Sequence, residues 1–259
     1  MGVLNVTPDS FSDGGRYFEH GAALERAQRM VEEGADIVDV GGESTRPGAQ
    51  PVSEEEELAR VLPVVAALRD LPVPVSVDTR RPRVMREAIA AGASMVNDVE
   101  ALEAPGALEA VAAADCAVCL MHKKGDPATM QENPIYADVV GEVKAYLAAR
   151  IASAEAAGIA RDRIVADPGF GFGKTAAHNL ALLARLGEFA DLGVPVAAGL
   201  SRKSTLGAIT GRPVGERLAA SLAAALLAAE AGAAILRVHD VRETRDALAV
   251  WLAVRAVGR

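Results

Sequence analysis

Three groups of residues in this chain could do chemistry together: a carboxylate leading into a glycine-rich aromatic loop, a lysine in a Ser-Arg-Lys-Ser turn, and an arginine alternating with a histidine. The first is Asp167-Pro-Gly-Phe-Gly-Phe-Gly-Lys174. Its lead-in, Arg163-Ile-Val-Ala166, is a short apolar β-branched run of the kind that forms a buried strand, so the strand ends on Asp167. Pro168 and three alternating glycines follow, a backbone that can approach a ligand closely. Phe170 and Phe172 are spaced between them. Carboxylate, amide-rich backbone and aromatic face suit a flat heterocycle with donors on its edge; a helix-connecting loop with a capping Asp is the plainer reading.

The second group is Gly199-Leu-Ser-Arg-Lys-Ser204. Only five of the 27 basic residues are lysines, so Lys203 at a strand end needs a reason. A Schiff base is conceivable, but a hydrogen bond to a ring carbonyl or nitrogen fits the neighbouring carboxylates better. In the third group Arg237 and His239 alternate, so both can face one side of a strand. Arginine offers a planar cation for stacking or phosphate, and histidine a second donor to an anion.

The elements that must position these groups show as an internal repeat. Gly34-Ala-Asp-Ile-Val-Asp-Val40, Gly92-Ala-Ser-Met-Val-Asn-Asp98 and Gly232-Ala-Ala-Ile-Leu-Arg-Val238 share one grammar. A glycine ends an Ala-rich helix, an apolar strand follows, and polar residues close it. Apolar runs predict eight strands, near 2–6, 35–40, 73–78, 94–98, 116–121, 163–167, 194–198 and 233–238. Helical patterns follow near 20–33, 54–69, 82–91, 105–113, 138–157, 177–190, 214–231 and 241–256. Eight βα units imply an α/β fold, a single-domain (β/α)8 TIM barrel over residues 1–259. The runner-up, a doubly wound sheet, would be favoured by a G-x-G-x-x-G after the first strand, and none is there.

Active sites of such barrels lie at the carboxyl ends of the strands. Those ends carry Asn5, Asp39 with Glu43-Ser-Thr-Arg46, Asp78, Asn97, Met121-His122, Asp167, Ser201-Arg-Lys203 and Arg237-Val-His239, whereas the opposite joints are Gly, Ala and Pro. Asp78 and Asn97, at adjacent strand ends, can together satisfy an aminopyrimidine, whose ring interleaves donors and acceptors. Asp98 points elsewhere and reads as structural; Asp39 reads as fixing the second loop, with no catalytic role. His122 is expected to hydrogen-bond its loop, and His20 and His178 to lie on the surface. The first loop, Thr7-Pro-Asp-Ser-Phe-Ser-Asp-Gly-Gly15, and the second, Gly41-Gly-Glu-Ser-Thr-Arg-Pro-Gly48, are long and rich in turn residues, hence candidate lids. Phe11 is either a packing anchor or a substrate contact. Arg46 is a solvated charge or, on this face, an anion-binding group.

Composition narrows the class. With 259 residues, 51% of them apolar and only 3% aromatic, the chain can bury a large core of Ala, Val, Leu and Ile. A net charge of −8 argues against a nucleic-acid or membrane-surface binder. No apolar run approaches the roughly 18 residues of a membrane span, and no leader precedes the first motif, so a cytoplasmic protein is expected. Cys116 and Cys119 spell C-x-x-C, but on a strand they point to opposite faces about 10 Å apart, beyond the ~7 Å reach of a disulfide; buried thiols are expected. The pattern over 214–229 is apolar around most of its circumference, which predicts a homodimer through the late helices.

Taken together, Leu4-Asn-Val-Thr-Pro-Asp-Ser-Phe-Ser-Asp-Gly-Gly15, Gly41-Gly-Glu-Ser-Thr-Arg-Pro-Gly48, Asp167-Pro-Gly-Phe-Gly-Phe-Gly-Lys174, Ser201-Arg-Lys-Ser204 and Arg237-Val-His-Asp240 resemble the dihydropteroate synthase family along the whole chain. The resemblance implies a transferase of folate biosynthesis and a sulfonamide target. It would condense 6-hydroxymethyl-7,8-dihydropterin diphosphate with 4-aminobenzoate to dihydropteroate and pyrophosphate, with Mg²⁺. It implies a pterin site of Asp78, Asn97, Met121, Asp167, Phe172, Lys203 and Arg237. It implies an aminobenzoate site of Thr45, Arg46, Pro47, Phe172, Ser201 and Lys203. The diphosphate site would be Asn5, Arg46, Arg237 and His239, with Asn5 also the Mg²⁺ ligand; Asp167, Lys203, Arg237 and His239 are the catalytic candidates. Members usually have a hairpin or longer first strand ahead of the first motif, whereas Met1 abuts it here. A methyltetrahydrofolate-binding corrinoid methyltransferase shares the barrel and the pterin set but has no use for a diphosphate site. A non-catalytic pterin-binding paralogue would have lost residues of the first two loops, which are present, and a Schiff-base aldolase on Lys203 is more distant.

Overall fold

The computed structural model describes residues 1–6, 15–43, 52–125, 130 and 134–257, the side chains of 15–20 excepted. The eight strands are β1 (Gly2–Asn5), β2 (Val38–Gly41), β3 (Val75–Asp78), β4 (Met95–Asp98), β5 (Ala117–Met121), β6 (Ile164–Asp167), β7 (Ala197–Ala198) and β8 (Ile235–Leu236). Each lies within or beside its predicted run. β1 to β6 pair in parallel in chain order, as do β7 and β8. Two bridges close the ring, Ala166 with Val196 and Gly2 with Val238. Backbone bonds reinforce the second seam: Val3 N–H donates to Val238 C=O at 2.9 Å, and Val238 N–H to Met1 C=O at 2.9 Å. The result is the closed barrel expected from the repeat.

Around it run α1 (Gly15–Glu32), α2 (Glu54–Leu68), α3 (Pro82–Ala91), α4 (Ala107–Ala112), α5 (Val139–Ala156), α6 (Ala176–Ala184), α7 (Ser204–Thr210), α8 (Leu218–Glu230) and α9 (Val241–Val257). α7 was not foreseen. Its seven residues are too few to show helical periodicity, and they follow directly on the Ser-Arg-Lys turn. The pattern over 214–231 resolves into a 3₁₀ turn, Val214–Glu216, and α8. At the repeated joint Gly92 has φ 122°, and a Cβ there would stand 2.7 Å from that of Arg69, so only glycine fits this helix-to-strand turn.

Alternation along the strands sorts the side chains into two cores. Val38, Val40, Val75, Val77, Val96, Val118, Leu120, Ile164 and Ala166 face the helices in the large outer cluster. Met95, Cys119, Val165 and Ala197, with Ile37, Ala117 and Ile235, fill the barrel. This settles the two cysteines: Cys116 is in the outer cluster and Cys119 inside the barrel, both free and buried. Burial pushes the Cys119 thiol well above its ordinary range. The same alternation decides which strand-end groups reach the barrel mouth. Two residues beyond Met95 comes Asn97, and two beyond Val165 comes Asp167. Asp98 points outward, where its carboxylate accepts from Glu100 N–H and Leu102 N–H, each at 2.8 Å, the structural role expected of it. Among the described residues no helix is long and apolar enough to cross a membrane.

Candidate active site

Register sets the rim. Asn5 pairs with Gly41, Gly41 with Asp78, and Asp78 with Asn97, so the four lie at one level of the mouth; Met121 and Asp167 pair across β5 and β6. Asp78, Asn97, Met121, Asp167, Phe172, Lys203 and Arg237, all seven residues of the implied pterin set, line one cleft together with Val99, Phe170 and Gly199. Its cavity volume is about 30 Å³, so these side chains stand close together across it.

The loop after β6 is built around Lys174, a residue the sequence reading left without a role. Lys174 is 2% exposed. Its Nζ donates to Gly169 C=O (2.8 Å), Phe172 C=O (3.0 Å) and His122 C=O (3.3 Å), and lies 2.9 Å from His122 Nδ1. One ammonium therefore ties the end of β5 to both halves of the glycine loop. Burial pushes Lys174 down to about 7, and the charge of Lys203 adds to this while Asp167 opposes it. The glycines make the approach possible: Gly169 has φ 69°, and a Cβ there would overlap the His122 carbonyl oxygen. Gly171 N–H donates to Asn179 Oδ1 (2.8 Å) and Tyr136 O–H to Gly173 C=O (2.9 Å), which pins the loop from α6 and from the fifth loop. A lysine in a loop reads as a solvated charge, and no local pattern distinguishes one folded beneath its own carbonyls.

His122 behaves as expected, holding its loop through the contact of its Nδ1 with Lys174. Burial, then the Lys174 charge, push its imidazole down to about 3. In an unfolded chain a histidine takes up its proton near pH 6.5. Between about pH 6.5 and about 3 the unfolded state therefore binds more protons, and stability is lost as pH falls through that window. His122→Asn keeps an oxygen acceptor near the place of Nδ1 and has no proton to gain. Its unfolding free energy, followed by urea denaturation from about pH 6 to about pH 4, is expected to fall less steeply than wild type by about 1.4 kcal/mol per pH unit. Parallel slopes would show that His122 is not the group responsible. His178, expected on the surface, is half-buried: it completes a capping box with Thr175 at the start of α6 and stacks edge-on against Tyr136 at 5.0 Å. The His20 side chain lies outside the described residues.

Four charged groups meet in the cleft. Asp167 Oδ1 accepts from Gly169 N–H at 2.7 Å; burial pushes this carboxyl up, against the pull of that N–H and of Lys203 and Arg237. Lys203 Nζ stands 4.0 Å over the Phe172 ring, and burial, with Arg237 nearby, brings it down to about 8. Arg237 Nη2 donates to Asp78 Oδ2 and Nε to Asp39 Oδ2, each at 2.7 Å. Burial works against its charge, but the two carboxylates outweigh it and hold it above its ordinary range. Burial raises Asp78 to about 7, with Arg237 opposing and Asp39 adding to the rise.

Asp39, expected to fix the second loop, lies fully buried under the cleft, bonded to Arg237 and to Asn97 Nδ2 (3.1 Å); most of that loop lies outside the described residues. Ser201 and His239 do not line the cleft but stand next to each other; Ser201 Oγ accepts from His239 N–H at 3.2 Å and lies 3.0 Å from its Nδ1. Thr45, Arg46 and Pro47, and most of the two candidate lids with Phe11, lie outside the described residues. Among the described residues no group of three His, Cys, Asp or Glu side chains could hold a metal. Asn5 offers one amide oxygen at the rim, close to where a Cβ on Gly41 would stand (3.8 Å). A lone oxygen ligand of this kind fits Mg²⁺ that takes its other ligands from water and a diphosphate.

A closed parallel barrel whose mouth gathers two carboxylates, an amide, a lysine and an arginine around one cleft has the architecture and the site of a (β/α)8-barrel enzyme. A family model described as pterin binding enzyme matches residues 1–239, and the chain belongs to that family. It is 53% identical to the dihydropteroate synthase of Escherichia coli over 96% of this chain and 89% of the relative. Among solved structures it resembles a Xanthomonas albilineans dihydropteroate synthase with 4-aminobenzoic acid (55% identity, TM-score 0.93, 99% of this chain and 92% of that one). It also resembles the Burkholderia cenocepacia dihydropteroate synthase complexed with 7,8-dihydropteroate (53% identity, TM-score 0.91, 100% and 92%).

Proposed function

We propose that this chain is a transferase of folate biosynthesis that condenses 6-hydroxymethyl-7,8-dihydropterin diphosphate with 4-aminobenzoate, giving dihydropteroate and pyrophosphate. The observation that carries the reading is the meeting of Asp78, Asn97, Asp167, Lys203 and Arg237 in one cleft. These residues differ in chemistry as an aminopterin edge demands. Asp167 accepts from a ring N–H and the exocyclic amine as a charge-assisted pair. Lys203 donates to the ring carbonyl and a ring nitrogen, Asp78 and Asn97 satisfy the remaining edge, Met121 and Phe172 pack on the ring, and Arg237 stacks over it. Phe172, Ser201 and Lys203, with Thr45, Arg46 and Pro47, receive the aminobenzoate. Arg237 and His239, with Arg46 and Asn5, face the diphosphate.

The C–O bond to the diphosphate breaks first, and its electron pair leaves with the phosphate oxygen. The pterin nitrogens delocalise the positive charge left on the exocyclic methylene. The arylamine nitrogen then donates its pair to that carbon and loses a proton to water. No strong protein base is needed. Arg237 and His239 neutralise charge on the departing oxygens, an electrostatic stabilisation of a dissociative step. Mg²⁺ held by Asn5 would supply Lewis-acid neutralisation of the diphosphate when bound.

The chain forms a homodimer through its late helices, supported by Leu227 on α8 and Val250, Leu252 and Val254 on α9, which are 57–68% exposed. It works in the cytoplasm, where a pair of free cysteines is at home. Dihydropteroate, with pyrophosphate in equal amount, is expected from the pterin diphosphate only with 4-aminobenzoate and Mg²⁺ both present, with a sulfonamide competing against the aminobenzoate. No dihydropteroate, or no competition, would overturn the assignment.

A further inference from the structure

The inference concerns Asp39 and rests on the reaction proposed above. Along β2, Val38 and Val40 face the helices, so Asp39 points into the barrel. Its register partner on β3 is Ser76, while the rim residue Asp78 pairs with Gly41. Asp39 thus lies one side-chain layer beneath the mouth, and it is fully buried. Burying a carboxylate is costly unless it is paired. Here Oδ2 takes two donors, Arg237 Nε at 2.7 Å and Asn97 Nδ2 at 3.1 Å, whereas among the described residues Oδ1 has no hydrogen-bond partner. One oxygen therefore orients two groups of the cleft, brought from β4 and from the end of β8.

Arg237 is held at two heights. Nε is anchored below to Asp39, and Nη2 is in the cleft on Asp78 Oδ2. Asp78 is also an acceptor the incoming ring needs, so the upper contact must give way when the ring arrives. The lower one need not. We propose that Asp39 is a positioning residue: it anchors Arg237 through Nε, so that the guanidinium exchanges Asp78 for the pterin diphosphate without losing its charge partner, and it sets the Asn97 amide at the same time. The direction of swing is toward the mouth, where the leaving group departs.

Asp39→Asn keeps an oxygen acceptor for the Asn97 amide and removes the charge that holds Arg237; that charge has nothing to act on once Arg237 is gone, so the test is a double-mutant cycle in the enzyme. Asp39→Asn is expected to lower kcat by about 10-fold or more while the KM for 4-aminobenzoate changes less than about 3-fold. The double variant Asp39→Asn/Arg237→Ala is expected to turn over within about 3-fold of Arg237→Ala alone. A further loss of about 10-fold in the double variant, or an Asp39→Asn enzyme within about 2-fold of wild type, overturns the proposal. If Asp39→Asn alone does not fold, the comparison of Arg237→Ala with the double variant still decides, because the double variant removes both buried charges together. Wild-type enzyme that releases no pyrophosphate would refute the reaction itself, which separates that failure from this one.

Discussion

Arg237→Ala or Asp167→Ala is expected to lower turnover by at least about 10²-fold, the scale of losing one charge-stabilising group at a reacting centre. For Arg237 the loss falls mainly on kcat, since further negative charge gathers on the departing diphosphate as the C–O bond breaks. The pterin KM changes less, because Asp78, Asn97, Asp167 and Lys203 still surround the ring. For Asp167 both parameters worsen, because the carboxylate addresses the ring in the ground state as well. Asp167 Oδ1 also accepts from Gly169 N–H at 2.7 Å, so Asp167→Ala releases the start of the glycine loop. Asp167→Asn, which keeps an acceptor for that N–H, separates the two contributions. Steady-state pyrophosphate release with circular dichroism of each variant makes the measurement. Near-normal turnover in a folded variant would sink the role of that residue.

The second large effect is on stability. Lys174→Met is expected to destabilise the fold by about 3 kcal/mol, from three buried acceptors left without their donor at about 1 kcal/mol each. These are Phe172 C=O, His122 C=O and His122 Nδ1; Gly169 C=O keeps a bond from Phe172 N–H at 3.1 Å. Methionine fills most of the volume of the lysine stem, so little of the change comes from a cavity. Urea midpoints of the two proteins measure it, and a difference under about 1 kcal/mol would show that the clamp contributes little. Activity should suffer too, because the loop that Lys174 gathers carries Phe172, over which Lys203 stands at 4.0 Å. A loosened loop misplaces both.

Much of the site was legible because strand alternation and the end-of-strand rule need only local sequence. Asn97 could be separated from Asp98, and Cys116 from Cys119, by counting in twos. The contacts missed were those with remote partners. Asp39 meets Arg237 across 198 residues of chain and His178 meets Tyr136 through a loop, and neither contact leaves a periodic trace. α7 escaped for a different reason, being shorter than two turns.

By itself the sequence determined the eight βα units, the polar rim, the opposite faces of the two thiols and the family, since each follows from periodicity, turn chemistry or a contiguous motif. Only the tertiary structure decided that Arg237 bridges Asp39 and Asp78, that Asp39 is buried against Arg237 and Asn97, and that Lys174 binds its own loop from beneath. The physical reason is closure. Until β8 meets β1, nothing local says which inward charge will stand within hydrogen-bonding distance of which, and the burial that makes those pairings strong exists only once the ring is shut.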